Sequence, residues 1–217
     1  MEKYIYFICN KDVNIVLTDD YFFYYGLKQL TGLPLFHITY EGVVNKSIAI
    51  KHKRNIRVLV DSRIFYSGKW GGYKMLRGSL NMISQWMWLD VSGGGRFYPK
   101  GCDYDIYVNM QGNVKNNIEK LYFAFLKKNV SRIVNHYPRL TKKEQAVLQC
   151  LLKNGGINEI KSQLKIEEKT LSCYQSKITR KFGCKRYIRF MYLYSLNKEM
   201  VDERWLMPRE GANKFLI

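Results

Sequence analysis

The clearest pattern of apolar and polar residues lies near the C-terminus, where it predicts an amphipathic helix. Leu171, Tyr174, Ile178 and Phe182 recur every three or four residues, the spacing of one stripe along an α-helix. The residues between them are short or cationic and must lie on the opposite face: Ser172, Cys173, Ser176, Lys177 and Arg180. A helix with one buried face and one face of small polar and basic side chains suits a DNA major groove.

Three further stripes flank this helix and complete a four-helix unit. Thr141 and Glu144 have the spacing of a capping box at the start of the first helix. The buried stripes predicted for the first, second and fourth helices are, in order, Val147, Leu148, Leu151 and Leu152; Ile157, Ile160 and Leu164; and Ile188, Met191, Tyr192, Ser195 and Leu196. The segment is therefore predicted to be an all-α helix-turn-helix unit with its recognition helix at about 169–182.

Short β-rich runs alternate with helical runs over the first 130 residues. The predicted strands are Val13–Thr18, Leu35–Tyr40, Ile56–Val60, Trp86–Val91 and Asp105–Val108, and the predicted helices are Tyr21–Leu30, Tyr73–Ser84 and Val114–Lys128. Several strands are apolar throughout, as strands buried on both faces are. The alternation predicts an α/β domain with a five-stranded parallel sheet and helices on both sides. The pattern between Gly42 and Lys53 supports no assignment.

The chain is thus expected to contain an α/β domain at 1–130, a linker at 131–139, a helix-turn-helix domain at 140–198 and an extension at 199–217. Charge is distributed unevenly among these parts. Residues 139–198 contain 14 Lys and Arg against 4 Asp and Glu, which is +10 of the chain's net +18. Such an excess within one small domain indicates binding to a polyanion, the alternative being a solvated basic face.

Cysteine usage and hydropathy predict a reduced, cytoplasmic protein. The five cysteines are an odd number without a Cys-x-x-Cys pair, so neither a disulfide framework nor a zinc site is indicated. No apolar run approaches the ~20 residues of a membrane span, and the N-terminus lacks a signal-peptide pattern. The three histidines are scattered along the chain. We therefore expect no cofactor and no association with a membrane.

The helical segment resembles the DNA-binding domain of LuxR/NarL-type (FixJ-type) transcriptional regulators. The shared elements are Leu140–Thr141, Glu144, Val147–Leu148, Glu159–Ile160, Lys169–Thr170–Leu171 and Lys181–Phe182–Gly183. The sequence departs from the family pattern at Lys161, Glu167 and Tyr174. The resemblance implies binding to double-stranded DNA. It implies base-edge contacts from Ser172, Cys173 and Ser176, and phosphate contacts from Lys169, Thr170, Lys177, Arg180 and Lys181.

The N-terminal pattern resembles the receiver domain of bacterial response regulators, which has a flavodoxin-like fold. Its polar residues follow the predicted strands, at the sheet edge where open α/β folds build their sites. The resemblance implies that Asp19 and Asp20 bind metal, Asp61 accepts a phosphoryl group and Ser92 senses it. Magnesium at Asp19, Asp20 and Asp61 is implied only if this pocket is functional. The receiver's lysine position falls on Asn109.

Two departures favour a degenerate receiver that is no longer phosphorylated. The amide of Asn109 cannot stabilise phosphoryl charge as an ammonium does, although Lys100 offers an alternative cation. The Met-Pro pair that the family has after the acceptor is also missing, and 62–65 reads Ser-Arg-Ile-Phe. We therefore expect that these acids only stabilise the ends of the strands and that the protein has no enzymatic activity.

The leading hypothesis is a homodimeric transcription regulator that is controlled without conventional aspartate phosphorylation. A dimer would place two recognition helices about one DNA turn apart, ~34–36 Å. The alternative is an auxiliary heterodimer partner of another response regulator. A third hypothesis, a small-molecule sensor, has less support, because the residue pattern of quorum-sensing ligand domains is absent from the sequence. The resemblance implies target genes of fimbriae, capsule or biofilm.

Overall fold

The computed structural model describes residues 4–7, 12–44, 47–50, 56–80, 84–128, 130–153 and 156–206. The chain forms two compact units. The first comprises Met1–Gly93 and Asp103–Asn135, and the second comprises Gly94–Cys102 and His136–Ile217. The segment 94–102, which the sequence analysis placed in the α/β domain, thus groups with the C-terminal helices.

The first unit is built on a mostly parallel sheet. Its strands are β1 (Tyr4–Phe7), β2 (Val13–Leu17), β3 (Leu35–Ile38), β4 (Ser47–Ile50), β5 (Ile56–Asp61), β6 (Ser84–Asp90), β7 (Ile106–Asn109) and β8 (Ser131–Arg132). Six strands form one sheet in the order β3-β2-β5-β6-β7-β8, and β1 pairs with β4 in a separate parallel ladder. Only β8 runs antiparallel to its neighbour in the large sheet. All five predicted strands and their parallel pairing are confirmed. Two strands were missed: β1, which precedes the first predicted strand, and β8, which falls in the predicted linker.

Five helices accompany this sheet within the described residues. They are α1 (Tyr21–Thr31), α2 (Tyr40–Val44), α3 (Ile64–Ser67), α4 (Trp70–Ser79) and α5 (Val114–Phe125). The predicted helix Tyr73–Ser84 extends too far: α4 ends at Ser79, and Ser84 is the first residue of β6. The unassigned stretch after Gly42 contains the end of α2 and then β4.

The strands are apolar because the sheet is covered on both faces. Every residue of β2 is buried, and its neighbour β5 is buried except at Arg57. Trp86 and Trp88 lie on one strand face, and both contact the ring of Tyr73, at 5.5 and 5.3 Å between centroids. α2 and α4 approach so closely that a Cβ at Gly72 would overlap the carbonyl oxygen of Tyr40. This packing places the carboxyl ends of β2 and β5 side by side.

The second unit is helical apart from the segment 94–102 and the connecting loops, as far as the structure describes it. Its helices are α6 (Lys142–Leu152), α7 (Ile157–Leu164), α8 (Glu168–Lys181), α9 (Tyr187–Leu196) and α10 (Lys198–Val201), followed by a π-helical turn at Asp202–Leu206. The predicted capping box is confirmed: Thr141 N donates to Glu144 Oε2 at 2.7 Å, and Glu144 N donates to Thr141 Oγ1 at 3.2 Å. Val147, Leu148, Leu151 and Leu152 are buried as predicted. The sequence also predicts that Asn154, Gly155 and Gly156 end the first helix, and of these three the structure describes only Gly156.

The buried face of α9 was predicted wrongly. Ile188 and Tyr192 are 77% and 59% exposed, whereas Phe190, Leu193 and Tyr194 are buried. The cause is visible in the sequence, since α9 reads YIRFMYLYSL and is apolar on nearly every side. Periodicity cannot select one face of such a helix.

Phe97, from the segment 94–102, completes the core of the second unit. Its ring lies 5.5 Å from that of Phe182 and 6.4 Å from that of Phe190, and all three side chains are almost fully buried. Phe182 follows α8 directly, so Phe97 packs where that helix ends. The core under α8 is therefore assembled from sequence positions more than 80 residues apart.

The C-terminal extension also packs into this unit as far as the structure describes it. The carbonyl oxygen of Trp205 accepts hydrogen bonds from the side-chain amides of Gln145 and Gln149, both at 3.3 Å. The Trp205 ring lies edge-on to Phe182 at 6.2 Å. The extension thus packs against the helices of this unit at Trp205.

Replacing Phe97 should loosen the second unit selectively. We expect Phe97→Ala to cost about 3–5 kcal/mol of local stability, because it leaves a cavity against Phe182 and Phe190. Hydrogen exchange of the full chain, read by mass spectrometry, should show faster exchange in α8 and α9 and unchanged exchange in β2 and β5. The exposed Lys100→Ala, from the same segment, is the matched control. Unchanged exchange in α8 of the Phe97 variant would contradict this role.

Candidate nucleic-acid interface and acidic pocket

Helix α8 separates a buried stripe from an exposed polar face. Leu171, Ile178 and Phe182 are at most 1% exposed, and Tyr174 is half-buried, as the sequence predicted. The exposed residues of α8 that the sequence assigned to DNA are Lys169, Thr170, Ser172, Cys173, Ser176, Lys177 and Arg180. With 14 residues, α8 is about 21 Å long and offers this face over several turns.

Three cations on this face are available to an external partner. Lys169, Lys177 and Arg180 are exposed, and none forms an ion pair with another described residue. Lys177 Nζ lies 6.0 Å from the centre of the Tyr174 ring. A surface cleft of about 320 Å³ lies among Lys169, Thr170, Cys173, Tyr174 and Lys177. The exposed serines and cysteine thus lie among cations that form no ion pair with an acidic residue of the described chain.

Lys181, at the last turn of α8, is bound within the unit instead. Its Nζ donates to Glu144 Oε2 at 2.6 Å and to the carbonyl oxygen of Arg139 at 2.8 Å. Burial of the Glu144 carboxyl would raise its pKa, but the hydrogen bonds from Lys181 and Thr141 outweigh burial, and the pKa is lowered. One carboxylate therefore caps α6 and attaches the end of α8 to it.

Asp61 lies at the end of β5 in the first unit, and its carboxylate is saturated with donors. The residue is only 2% exposed. Its Oδ2 accepts from Thr18 Oγ1 at 2.7 Å and from Arg63 NH2 at 2.6 Å. Its Oδ1 accepts from the backbone N and the Nε of Arg63, both at 3.0 Å. A buried carboxylate requires such partners, because an unpaired charge in the interior is costly.

Asp19 and Asp20 have their oxygens bound in the same way. Asp20 Oδ1 caps α1 by accepting from Phe23 N at 2.9 Å, and its Oδ2 accepts from Arg63 NH1 at 2.6 Å. Asp19 Oδ1 accepts from Tyr40 N at 3.0 Å, and its Oδ2 accepts from Lys69 Nζ at 2.9 Å. All six oxygens of the three aspartates therefore accept hydrogen bonds from the chain itself.

The charges in this pocket stabilise one another. The hydrogen bond from Phe23 N and the pairing with Arg63 lower the pKa of Asp20, against a smaller opposing effect of burial. Partial burial disfavours the charged Arg63 guanidinium, but Asp61 and Asp20 outweigh it and raise its pKa. Lys69 also pairs with Glu41 at 2.8 Å, and the hydrogen bonds from Glu41 and Asp19 raise the pKa of this lysine.

A family comparison matches part of the helical second unit. Residues 138–189 match the family of bacterial regulatory proteins called the luxR family. Residues 138–189 form a LuxR-family helix-turn-helix domain. This result confirms the resemblance seen in the sequence, and α8 lies within the matched residues.

A solved two-domain structure is similar in fold to most of this chain. The structure of the two-component response regulator RcsB in complex with DNA is 16% identical and aligns with 86% of this chain and 99% of that one, at a TM-score of 0.53. A structure of two RcsB dimers bound to two parallel DNAs has 13% identity, the same coverage and a TM-score of 0.49. RcsB from Salmonella enterica serovar Typhimurium bound to promoter rprA has 14% identity, coverage of 85% and 99%, and a TM-score of 0.45. No curated protein sequence matches the chain. The likeness to the first structure confirms the fold class: a receiver-like α/β domain with a LuxR-family domain.

Two of the five residues predicted for the acidic pocket lie outside its hydrogen-bond network. Ser92 Oγ donates to the Tyr66 hydroxyl at 3.3 Å, and Asn109 Oδ1 accepts from Gln111 N at 2.8 Å. Both residues are exposed, and neither bonds to Asp19, Asp20 or Asp61 among the contacts of the described chain. The structure therefore brings together the three acids but not the proposed hydroxyl switch or the amide at the lysine position.

Sequence reasoning missed Arg63 and Lys69, the two cations that the structure places in this pocket. The signal for Arg63 was its position two residues after Asp61, where the family pattern has other residues. The signal for Lys69 was weaker, since it lies 50 positions from Asp19. None of the helices in the described part of the chain has the length and the apolar content that a membrane span needs.

Proposed function

We propose that this protein is a cytoplasmic transcription regulator that reads double-stranded DNA through the exposed face of α8 and acts as a dimer. The observation that carries the proposal is the division of α8. One side is buried by Leu171, Ile178 and Phe182, and the other presents exposed small polar residues among cations free of acidic partners. An α-helix of this kind fits a major groove about 12 Å wide.

The exposed residues divide by chemistry. Ser172, Cys173 and Ser176 are short and lie where base edges would be, so they read sequence. Lys169, Lys177 and Arg180 supply charge to phosphates, and the Thr170 hydroxyl donates to a phosphate at the start of the helix. Lys181 was predicted to contact phosphate too. Since its ammonium already binds Glu144 and Arg139, we propose that it mainly orients the end of α8.

Dimerisation is supported by an apolar surface on the first unit. A groove between α1 and α5 is lined almost entirely by apolar side chains, and Phe22, Leu30 and Val114 in it are 87%, 49% and 55% exposed. Exposed apolar patches commonly mark protein interfaces. A second copy of the chain on this surface would supply two recognition helices. The alternative is an auxiliary role as heterodimer partner of another regulator, which predicts that the protein alone shows little sequence-specific DNA binding.

Control without aspartate phosphorylation is supported by the state of Asp61. A phosphoryl acceptor needs a carboxylate oxygen that can attack the donor. Both oxygens of Asp61 are buried and bound by Thr18 and Arg63. The ammonium that would stabilise the product is absent at Asn109, whose side chain bonds to Gln111.

Substitutions on α8 should separate affinity from specificity. Lys177→Ala and Arg180→Ala should weaken binding to all duplexes and reduce the salt slope of log K by about 1 each, because each removes a phosphate contact. Ser172→Ala and Ser176→Ala should instead change discrimination between sequences by about 1–3 kcal/mol. Fluorescence anisotropy at several salt concentrations, on duplexes selected by the protein from genomic DNA, measures both. We expect those sites to be roughly two-fold symmetric.

The matched control is Lys28→Ala, which removes an exposed lysine from α1 in the first unit. It should leave affinity and salt slope unchanged. If the α8 variants behave like this control, the assignment of α8 to the groove is wrong. Failure of the protein to bind any duplex until another regulator is added would favour the auxiliary role.

Acetyl phosphate with magnesium tests the second part of the proposal. Intact mass should show no phosphoryl adduct beyond the background seen with Asp61→Asn, because the Asp61 oxygens are inaccessible. A stoichiometric adduct that disappears in Asp61→Asn would show that phosphorylation operates.

A further inference from the structure

The receiver fold implies a magnesium ion at Asp19, Asp20 and Asp61, and the hydrogen bonds of these side chains show whether they fit one. Mg²⁺ requires oxygen ligands at about 2.0–2.1 Å in near-octahedral geometry. Every oxygen of the three carboxylates already accepts from a donor of the chain. Among the residues that the structure describes, no group of three or more His, Cys, Asp and Glu side chains is placed to hold a metal ion. The pocket as folded does not fit magnesium.

The guanidinium of Arg63 lies between the two acids that would share the ion. Its NH1 donates to Asp20 Oδ2 at 2.6 Å, and its Nε and NH2 donate to Asp61 Oδ2 at 2.9 and 2.6 Å. A planar guanidinium with donors on several edges can bridge two carboxylates in this way, which an ammonium on a single atom does less well. Arg63 is held further by its own backbone N, which donates to Asp61 Oδ1.

Charge and access both oppose an added divalent ion. The side chain of Asp61 is 2% exposed, whereas that of Arg63, its partner in the ion pair, is 34% exposed. Arg63 is therefore the partner nearer to solvent. An ion entering between Asp20 and Asp61 would meet a fixed positive charge within a few ångströms, where repulsion is poorly screened. Lys69 supplies a second positive charge at Asp19.

We propose that Arg63 takes the place of the divalent cation in this receiver-like domain. It neutralises Asp20 and Asp61 with a charge that is part of the chain, so the native protein binds no magnesium there. Removing the guanidinium while keeping the three acids converts the same pocket into a divalent-cation site. The inference extends the proposal that Asp61 is not phosphorylated, and the two fail separately because metal binding is measured without a phosphodonor.

Binding of Mn²⁺, a paramagnetic substitute for Mg²⁺, tests the inference directly. The electron paramagnetic resonance signal of free Mn²⁺ is recorded while the full-length protein is added at constant ionic strength. The wild type should leave the signal unchanged. Arg63→Met, which keeps an unbranched flexible side chain but removes the guanidinium and its charge, should remove about one equivalent of free Mn²⁺, and excess Mg²⁺ should release it.

Lys69→Met is the matched control, because it deletes a cation from the same pocket but leaves Arg63 on Asp20 and Asp61. It should behave like the wild type. One equivalent of Mn²⁺ bound by the wild type, displaced by Mg²⁺ and lost in Asp61→Asn, would overturn the proposal. So would an Arg63→Met protein with a native circular dichroism spectrum that binds no Mn²⁺. If that variant does not fold, Arg63→Gln provides the second test. The wild-type titration needs no variant, because Mg²⁺-displaceable binding of one equivalent of Mn²⁺ by the wild type contradicts the proposal.

Discussion

Burial of Leu171, Ile178 and Phe182 is the interaction on which the function of the second unit depends. Each of these side chains contributes about 1.5–3 kcal/mol when it is fully removed from water. Neighbouring residues on a helix are about 100° apart, so a rotation of α8 by one residue would expose this stripe. The rotational setting of the helix is therefore fixed by apolar contacts. That rotational setting determines which residues face outward, and Ser172 and Ser176 are among them.

In both sites the role of a cation depends on whether it is paired with an acid of its own unit. Lys181, Arg63 and Lys69 each pair with an acid of their own unit and serve the structure. The cations exposed on α8 have no such partner among the described residues, and they remain available to phosphates. Net charge alone does not distinguish these groups, because all of them count equally toward the basic character of the chain.

The parts of the fold with strong local patterns could be predicted from the sequence. The apolar strand pattern predicted the parallel sheet because strands buried on both faces must be apolar. Thr141 and Glu144 predicted the start of α6 because a capping box is formed by residues close in sequence. Local patterns failed where the deciding contact is distant or the pattern has no preferred side. Phe97 joins a core 85 positions away at Phe182, and α9 is apolar all round. In the acidic pocket, the ends of the strands located the three acids, but only the folded structure shows that Arg63 bridges two of them, Asp20 and Asp61.

Thiol labelling of Cys173 tests the central claim most directly. Of the four cysteines in the described part of the chain, Cys173 alone is exposed. Cys184 is further disfavoured as a nucleophile because burial raises the pKa of its thiol to about 11. Maleimide labelling near pH 7.5, mapped by peptide mass, should modify Cys173 rapidly in the free protein and slowly when saturating duplex DNA is bound at low salt. Equal labelling rates with and without bound DNA would show that α8 does not enter the groove.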